Sequence, residues 1–191
     1  MSKPEVIATS RRRFLTSASS LFLGVSLFPQ IVSAGQQEIQ SQGVPESLSQ
    51  EQLDWIEKSK MAADMKNFFG QGYSCAESVL MVSLRFLNKS EDLVWAAAGF
   101  GGGLYHKDLC GYLTGGIMSI GFFTGTLNKE RKEAKEICSD LVKEYWKWWT
   151  SSYPLRCAEI RPEGSPRSIC ENLGKLSAAK VEEMFISAVK Q

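Results

Sequence analysis

The sequence predicts an all-α fold: a compact bundle of about five to six helices with Gly-rich loops, preceded by a cleaved signal peptide. Three observations predict it. Apolar residues recur at helical spacing through most of the chain beyond residue 50, glycine clusters at 70–72 and 99–103 separate these stretches, and the first 34 residues are patterned unlike the rest. With 191 residues, 43% apolar and 23% charged, the chain has the balance of an ordinary globular protein and room for one core plus a leader.

Arg11-Arg12-Arg13 precedes Phe14-Leu15 and an apolar stretch from Leu21 to Phe28, the n-region and h-region of an export signal. Serines and Gly24 dilute that stretch, which falls short of the roughly 20 residues of a membrane-spanning helix. Val32-Ser33-Ala34 offers small residues to a signal peptidase, which puts cleavage after Ala34. Ser10-Arg11-Arg12-Arg13-Phe14-Leu15-Thr16 resembles the twin-arginine consensus, with Thr16 in place of its final lysine. The expected organisation is a twin-arginine signal at 1–34, a polar linker at 35–50 and a domain at 51–191. The expected location is the periplasm, or another exported site reached through the Tat translocase as export partner. Cleavage removes Lys3, Arg11, Arg12, Arg13 and Glu5, turning a formal charge of +1 into −2, and nothing in that balance points to nucleic acid.

The first helix is expected from Ser49, with Leu53, Ile56, Met61, Met65 and Phe68-Phe69 on its apolar side, ending at Gly70-Gln71-Gly72. The second begins near Cys75 and runs to Asn88 through Val79, Leu80, Val82, Leu84, Phe86 and Leu87. Ser90 caps a short third helix through Ala98, with Glu91 and Asp92 at its positive end, and Gly99 to Gly103 stop it. Residues 110–125 are apolar and rich in glycine, the composition of a buried helix approached closely by its neighbours. Asn128 to Trp149 is a surface helix, with charged residues on one side and Ile137, Leu141, Val142, Tyr145, Trp148 and Trp149 on the other. Its aromatic end is mostly core and rim. A loop-rich part holds Cys157 and Cys170, and a last helix spans about 177–189.

The five cysteines at 75, 110, 138, 157 and 170 contain no Cys-x-x-Cys pair, so neither a zinc ribbon, a thioredoxin-type site nor covalent haem is indicated. The single histidine, His106, reads as a polar loop residue. Cys75 and Cys110 fall at helix starts, where unpaired amides and the macrodipole favour a thiolate; either could equally be core or half of a disulfide.

Three segments carry a resemblance: Phe69-Gly-Gln-Gly-Tyr-Ser-Cys-Ala-Glu-Ser-Val-Leu80, Ala98-Gly-Phe-Gly-Gly-Gly103 and Cys110-Gly-Tyr-Leu-Thr-Gly-Gly-Ile-Met118. With Cys157 and Cys170, they resemble the C_GCAxxG_C_C family of redox-active proteins over about residues 60–190. The resemblance implies that Cys75, Cys110, Cys157 and Cys170 are the family's four cysteines. Cys110 to Gly115 is then its Cys-Gly-Ala-x-x-Gly motif, with Tyr112 in place of alanine. Cys138 lies outside the set and reads as core. A similarity to the iron–sulfur part of split-Soret cytochrome c goes with the same arrangement, although the haem-attachment motifs are missing.

The expected function is electron transfer by an iron–sulfur cluster, a [2Fe–2S] centre on those four thiolates, with backbone amides near Gly101 to Gly103 and Gly111 aimed at the sulfurs. Gly115, Gly116 and Gly121 are expected to serve packing. Export of already folded, cofactor-loaded proteins by the twin-arginine route favours a cluster over disulfides. A periplasmic or membrane redox partner follows from that function, and a homodimer is open. The alternatives are a thiol–disulfide protein, pairing Cys157 with Cys170 or Cys75 with Cys110, and a disulfide-stapled binding module. An electron-transfer role is preferred to that of a stand-alone enzyme.

Overall fold

In the computed structural model, residues 46–190 are described; the expected signal peptide and most of the expected linker lie outside them. The described residues form seven α-helices and no β-strand. These are α1 (Gln50–Lys58), α2 (Lys60–Asp64), α3 (Cys75–Phe86), α4 (Gly111–Thr124), α5 (Arg131–Ser152), α6 (Cys157–Ile160) and α7 (Ser168–Val189). The all-α expectation holds. No helix among the described residues is long and apolar enough to cross a membrane.

The expected first helix is broken. Ser49 opens α1 with a capping box to Gln52, but at Ser59 the backbone turns extended and a new helix starts. The cause lies far along the chain: the buried Glu182 carboxylate accepts hydrogen bonds from the Ser59 hydroxyl at 2.6 Å and from the Met61 amide at 2.8 Å. A carboxylate that satisfies the free amides of a helix start outweighs continuation of α1. The third expected helix is a 3₁₀ segment, Glu91–Phe100, capped by Ser90 through the Asp92 amide.

Helices α3, α4 and α7 form the centre, with α2 and α5 packed outside them. Ser74 and Glu77 close a capping box at the start of α3, which buries Ala76, Val79, Leu80, Met81, Val82 and Leu84. Helix α4 is the buried glycine-bearing helix expected for 110–125. An alanine Cβ at 115 would lie 2.5 Å from Val79 and 2.6 Å from the Ala76 carbonyl, and one at 116 would lie 2.5 Å from the Tyr145 hydroxyl. Those two glycines therefore serve packing. Gly121 does not, because a Cβ there meets nothing within 4 Å.

The aromatic end of α5 divides as expected. Tyr145 and Trp149 are fully buried, stacking with Trp148 and Tyr153, while Trp146 is exposed. Cys138 is half-buried against the core. Helix α7 begins nine residues earlier than expected, so Cys170 is helical and not in a loop. Gly174 in mid-helix carries an intrinsic penalty of about 1 kcal/mol relative to alanine. The packed structure needs it, since a Cβ there would lie 2.8 Å from the ring and hydroxyl of Tyr112.

Candidate functional site

All four cysteines of the expected set stand at helix starts. Cys75 is the first residue of α3, Cys110 is the N-cap of α4, Cys157 opens the short α6 and Cys170 lies in the first turn of α7. The sequence pointed to this placement for Cys75 and Cys110 only.

Residues 102–107 help to gather them. Gly102, Gly103, Leu104, Tyr105 and Lys107 all have positive φ, so this segment winds left-handed, a conformation that costs an ordinary residue about 1–2 kcal/mol. Its winding presents the Gly102 amide to the Cys75 sulfur. It also sets Asp108 so that its amide donates to the Gly103 carbonyl at 3.0 Å and its carbonyl accepts from the Cys157 amide at 2.7 Å. The Cys110 amide donates to the Leu155 carbonyl at 2.9 Å, and Leu109 pairs with Arg156 in an isolated antiparallel bridge. The strands of chain leading into α4 and α6 are thus tied side by side, which brings Cys110 and Cys157 together.

Close approach between helices adds Cys75. A Cβ on Gly111 would fall 2.3 Å from the Cys75 sulfur and 3.0 Å from both the Ala76 amide nitrogen and the Phe100 carbonyl, so only glycine leaves space for that thiol. Gly103 is similarly close to the Cys157 Cβ, which would lie 2.7 Å from a Cβ at 103.

Burial pushes the Cys75 thiol up, opposed by the Gly102 amide and reinforced by charge on Cys157. Burial raises Cys110 well above the ordinary thiol range, with charge on Cys75 and Cys157 adding to it and the Tyr112 and Leu113 amides opposing. Cys170 is pushed up to about 11, first by burial, with the Arg161 guanidinium opposing and Cys75 and Cys157 adding. The thiolate expected at these helix starts is therefore not favoured in the metal-free protein. Amides and macrodipole act in the expected direction, but desolvation and repulsion between neighbouring sulfurs outweigh them.

All five cysteines are free thiols. Among the described residues, no three His, Cys, Asp or Glu side chains converge tightly enough to hold a single metal ion. One further group was noted from the sequence only as the residue in place of the motif's alanine. Tyr112, two residues after Cys110, is fully buried and its hydroxyl has no hydrogen-bond partner. Burial raises it far above the ordinary phenol range, and charges on Cys75, Cys170 and Cys110 raise it further. His106 stands in the left-handed segment and is exposed, as a polar loop residue would be.

Residues 73–184 match the model of the family described as "Putative redox-active protein (C_GCAxxG_C_C)". The chain belongs to this C_GCAxxG_C_C family. The match spans Cys75, Cys110, Cys157 and Cys170. No curated protein and no solved structure matches the chain.

Proposed function

We propose that this C_GCAxxG_C_C protein is exported by the twin-arginine route and transfers single electrons through a [2Fe–2S] cluster held by Cys75, Cys110, Cys157 and Cys170. The observation that carries the reading is that Cys75, Cys110, Cys157 and Cys170 all stand at helix starts, with Gly111 packed on the Cys75 sulfur and the segments entering Cys110 and Cys157 tied side by side. Cys138, the fifth, lies within α5.

The donor types suit such a group, but among the described residues no three of them converge tightly enough to hold a metal ion. Soft thiolates are the ligands of iron–sulfur centres, and the chain adds amide donors at Cys75 and Cys110 and the Arg161 guanidinium at Cys170. Engaging the metal requires the thiols to lose their protons and draw closer together. A bound cation favours both, because its charge offsets the burial, and after it the repulsion between sulfurs, that raises Cys75, Cys110 and Cys170. When bound, the cluster supplies a one-electron couple; the chain's residues hold it, limit water and set the field around it.

Thiol–disulfide exchange is the weaker reading. It needs an accessible thiolate of lowered pKa, and Cys75, Cys110 and Cys170 are shifted the other way. Export rests on the Arg11-Arg12-Arg13-Phe14-Leu15 segment, and the electron donor or acceptor would then be a periplasmic or membrane protein.

The test is anaerobic purification of the natively exported protein, with its visible spectrum and its iron and acid-labile sulfide content. About two irons and two sulfides per chain support the cluster. Colourless protein whose thiols cycle with a disulfide reagent supports exchange chemistry instead, and colourless protein with permanent bridges leaves only a stapled module.

A further inference from the structure

We propose that the exposed face formed by Glu91–Phe100 and Tyr105 is the surface through which two copies of this chain pair about a two-fold axis, with Asp92 of each copy set against Lys107 of the partner subunit. Such pairing needs no metal and stands apart from the cluster reading above.

Trp95 and Tyr105 are 75% and 73% exposed. Among the described residues the other exposed large apolar side chains are at most 45% exposed, Val189 in the last turn of α7 excepted. The two aromatics stand together. In a 3₁₀ segment residues three apart eclipse, so Asp92, Trp95 and Ala98 form one row and Leu93, Ala96 and Gly99 the next, while Val94 and Ala97 point into the core. Apart from Asp92, both outward rows are apolar. Tyr105 extends the first row, its hydroxyl donating to the Ala98 carbonyl at 3.2 Å while its ring stays in solvent. That position is bought with backbone strain, since Leu104, Tyr105 and Lys107 have φ of 58°, 58° and 55°. A contiguous apolar face of this kind, rimmed by charge, marks an interaction surface.

Shape and charge favour a second copy as its occupant. A two-fold contact requires a surface that fits itself. Here the Trp95 indole projects, and beside it Ala96 and Gly99 form a flat floor on which even a Cβ at 99 would meet nothing within 4 Å. An axis passing beside Trp95 lays each indole on the partner subunit's Gly99. The charges follow the same symmetry. Glu91 is held by Arg85 at 3.5 Å, whereas Asp92 contacts only the Ser90 hydroxyl and forms no ion pair among the described residues. His106 and Lys107 are exposed at the Tyr105 end, and neither forms an ion pair among the described residues. At about 2 Å of rise per residue, Trp95 lies midway along the roughly 12 Å between Asp92 and Ala98. The axis that pairs the indoles therefore brings each unpaired acid to the basic end of the other copy. A lipid surface fits this face less well, because Asp92 lies in the same row as Trp95 and would be desolvated without a cation.

The experiment measures the mass of the natively exported protein by sedimentation velocity across the micromolar range. Wild type should dimerise there, as small interfaces do. Trp95→Ala, which removes the central aromatic, and Gly99→Arg, which fills the floor, should each weaken the dimer at least about thirtyfold. Asp92→Lys and Lys107→Asp should each weaken it, and the double variant should restore it, because the axis exchanges the two ends; aspartate tolerates the left-handed backbone at 107. All these side chains are on the surface, and circular dichroism melts matching wild type verify that the variants fold. Wild type that stays monomeric throughout the range overturns the proposal. A dimer indifferent to Trp95→Ala, or a double variant no tighter than the single ones, overturns it too. Monomeric wild type that co-sediments with phosphatidylglycerol vesicles, and loses this with Trp95→Ala, would assign the face to a lipid surface instead.

Discussion

Gly111 and Cys75 share a space that holds one of two things, a thiol or a methyl group: an alanine Cβ at 111 would stand 2.3 Å from the Cys75 sulfur. The neighbouring atoms at 3.0 Å are the Ala76 amide nitrogen and the Phe100 carbonyl, both backbone, so the relief must come from the thiol or from the α3–α4 spacing.

Gly111→Ala is therefore expected to cost about 1–3 kcal/mol, as overpacking in a dense core does, and to displace Cys75 from the other thiols. Gly121→Ala in the same helix is the control. Its Cβ meets open space, so helix propensity alone acts and stability should rise by up to about 1 kcal/mol. Denaturant melts of both variants, with iron content after reconstitution, check the pair; equal behaviour would refute the steric argument.

Single Cys→Ser changes at 75, 110, 157 and 170 should each abolish or sharply reduce bound iron and sulfide. Cys138→Ser should leave both at the wild-type level, because Cys138 packs at the margin of the core on α5. Metal analysis and the visible spectrum of the five variants decide this. A loss confined to Cys138→Ser would reverse the assignment.

The metal-free protein should lose stability in alkali. Burial raises the Cys170 thiol from the ordinary 9.0 to about 11, with Cys75 and Cys110 also raised. The folded state therefore holds these protons more tightly than the unfolded chain, and the resulting stabilisation is present below pH 9 and lost as pH rises toward 11. Melting temperature measured from pH 7 to 11 should fall across that window, and less steeply in Cys170→Ser. A flat profile would contradict the burial of these thiols.

Glu182→Ala should cost about 1–3 kcal/mol, since it strands the buried Ser59 hydroxyl and the Met61 amide. Protection of the α2 amides from hydrogen exchange should fall with it. Retained α2 protection would show that the carboxylate is not what restarts the chain at Ser59.

Much of this architecture was legible because its causes are local. The Ser74–Cys75 junction, the Ser90 cap and the length of α4 and α5 follow from caps, periodicity and glycine placement within a few residues. What was misread depends on residues far apart in sequence. The break at Ser59 is imposed by Glu182, 121 residues beyond Met61, and the early start of α7 is made tolerable by Tyr112 lying over Gly174. The helix-start argument for thiolates failed because burial, which no spacing displays, outweighs the local amides at Cys75 and Cys110.

By itself, then, the sequence determined an all-helical domain and the family to which it belongs. The tertiary structure alone decided that all four stand at helix starts, that burial raises the thiols of Cys75, Cys110 and Cys170, and that the buried Tyr112 hydroxyl lacks an acceptor. The division has a physical origin. Helix patterning is a short-range property of the chain, whereas desolvation, close packing and mutual repulsion exist only once distant segments have met.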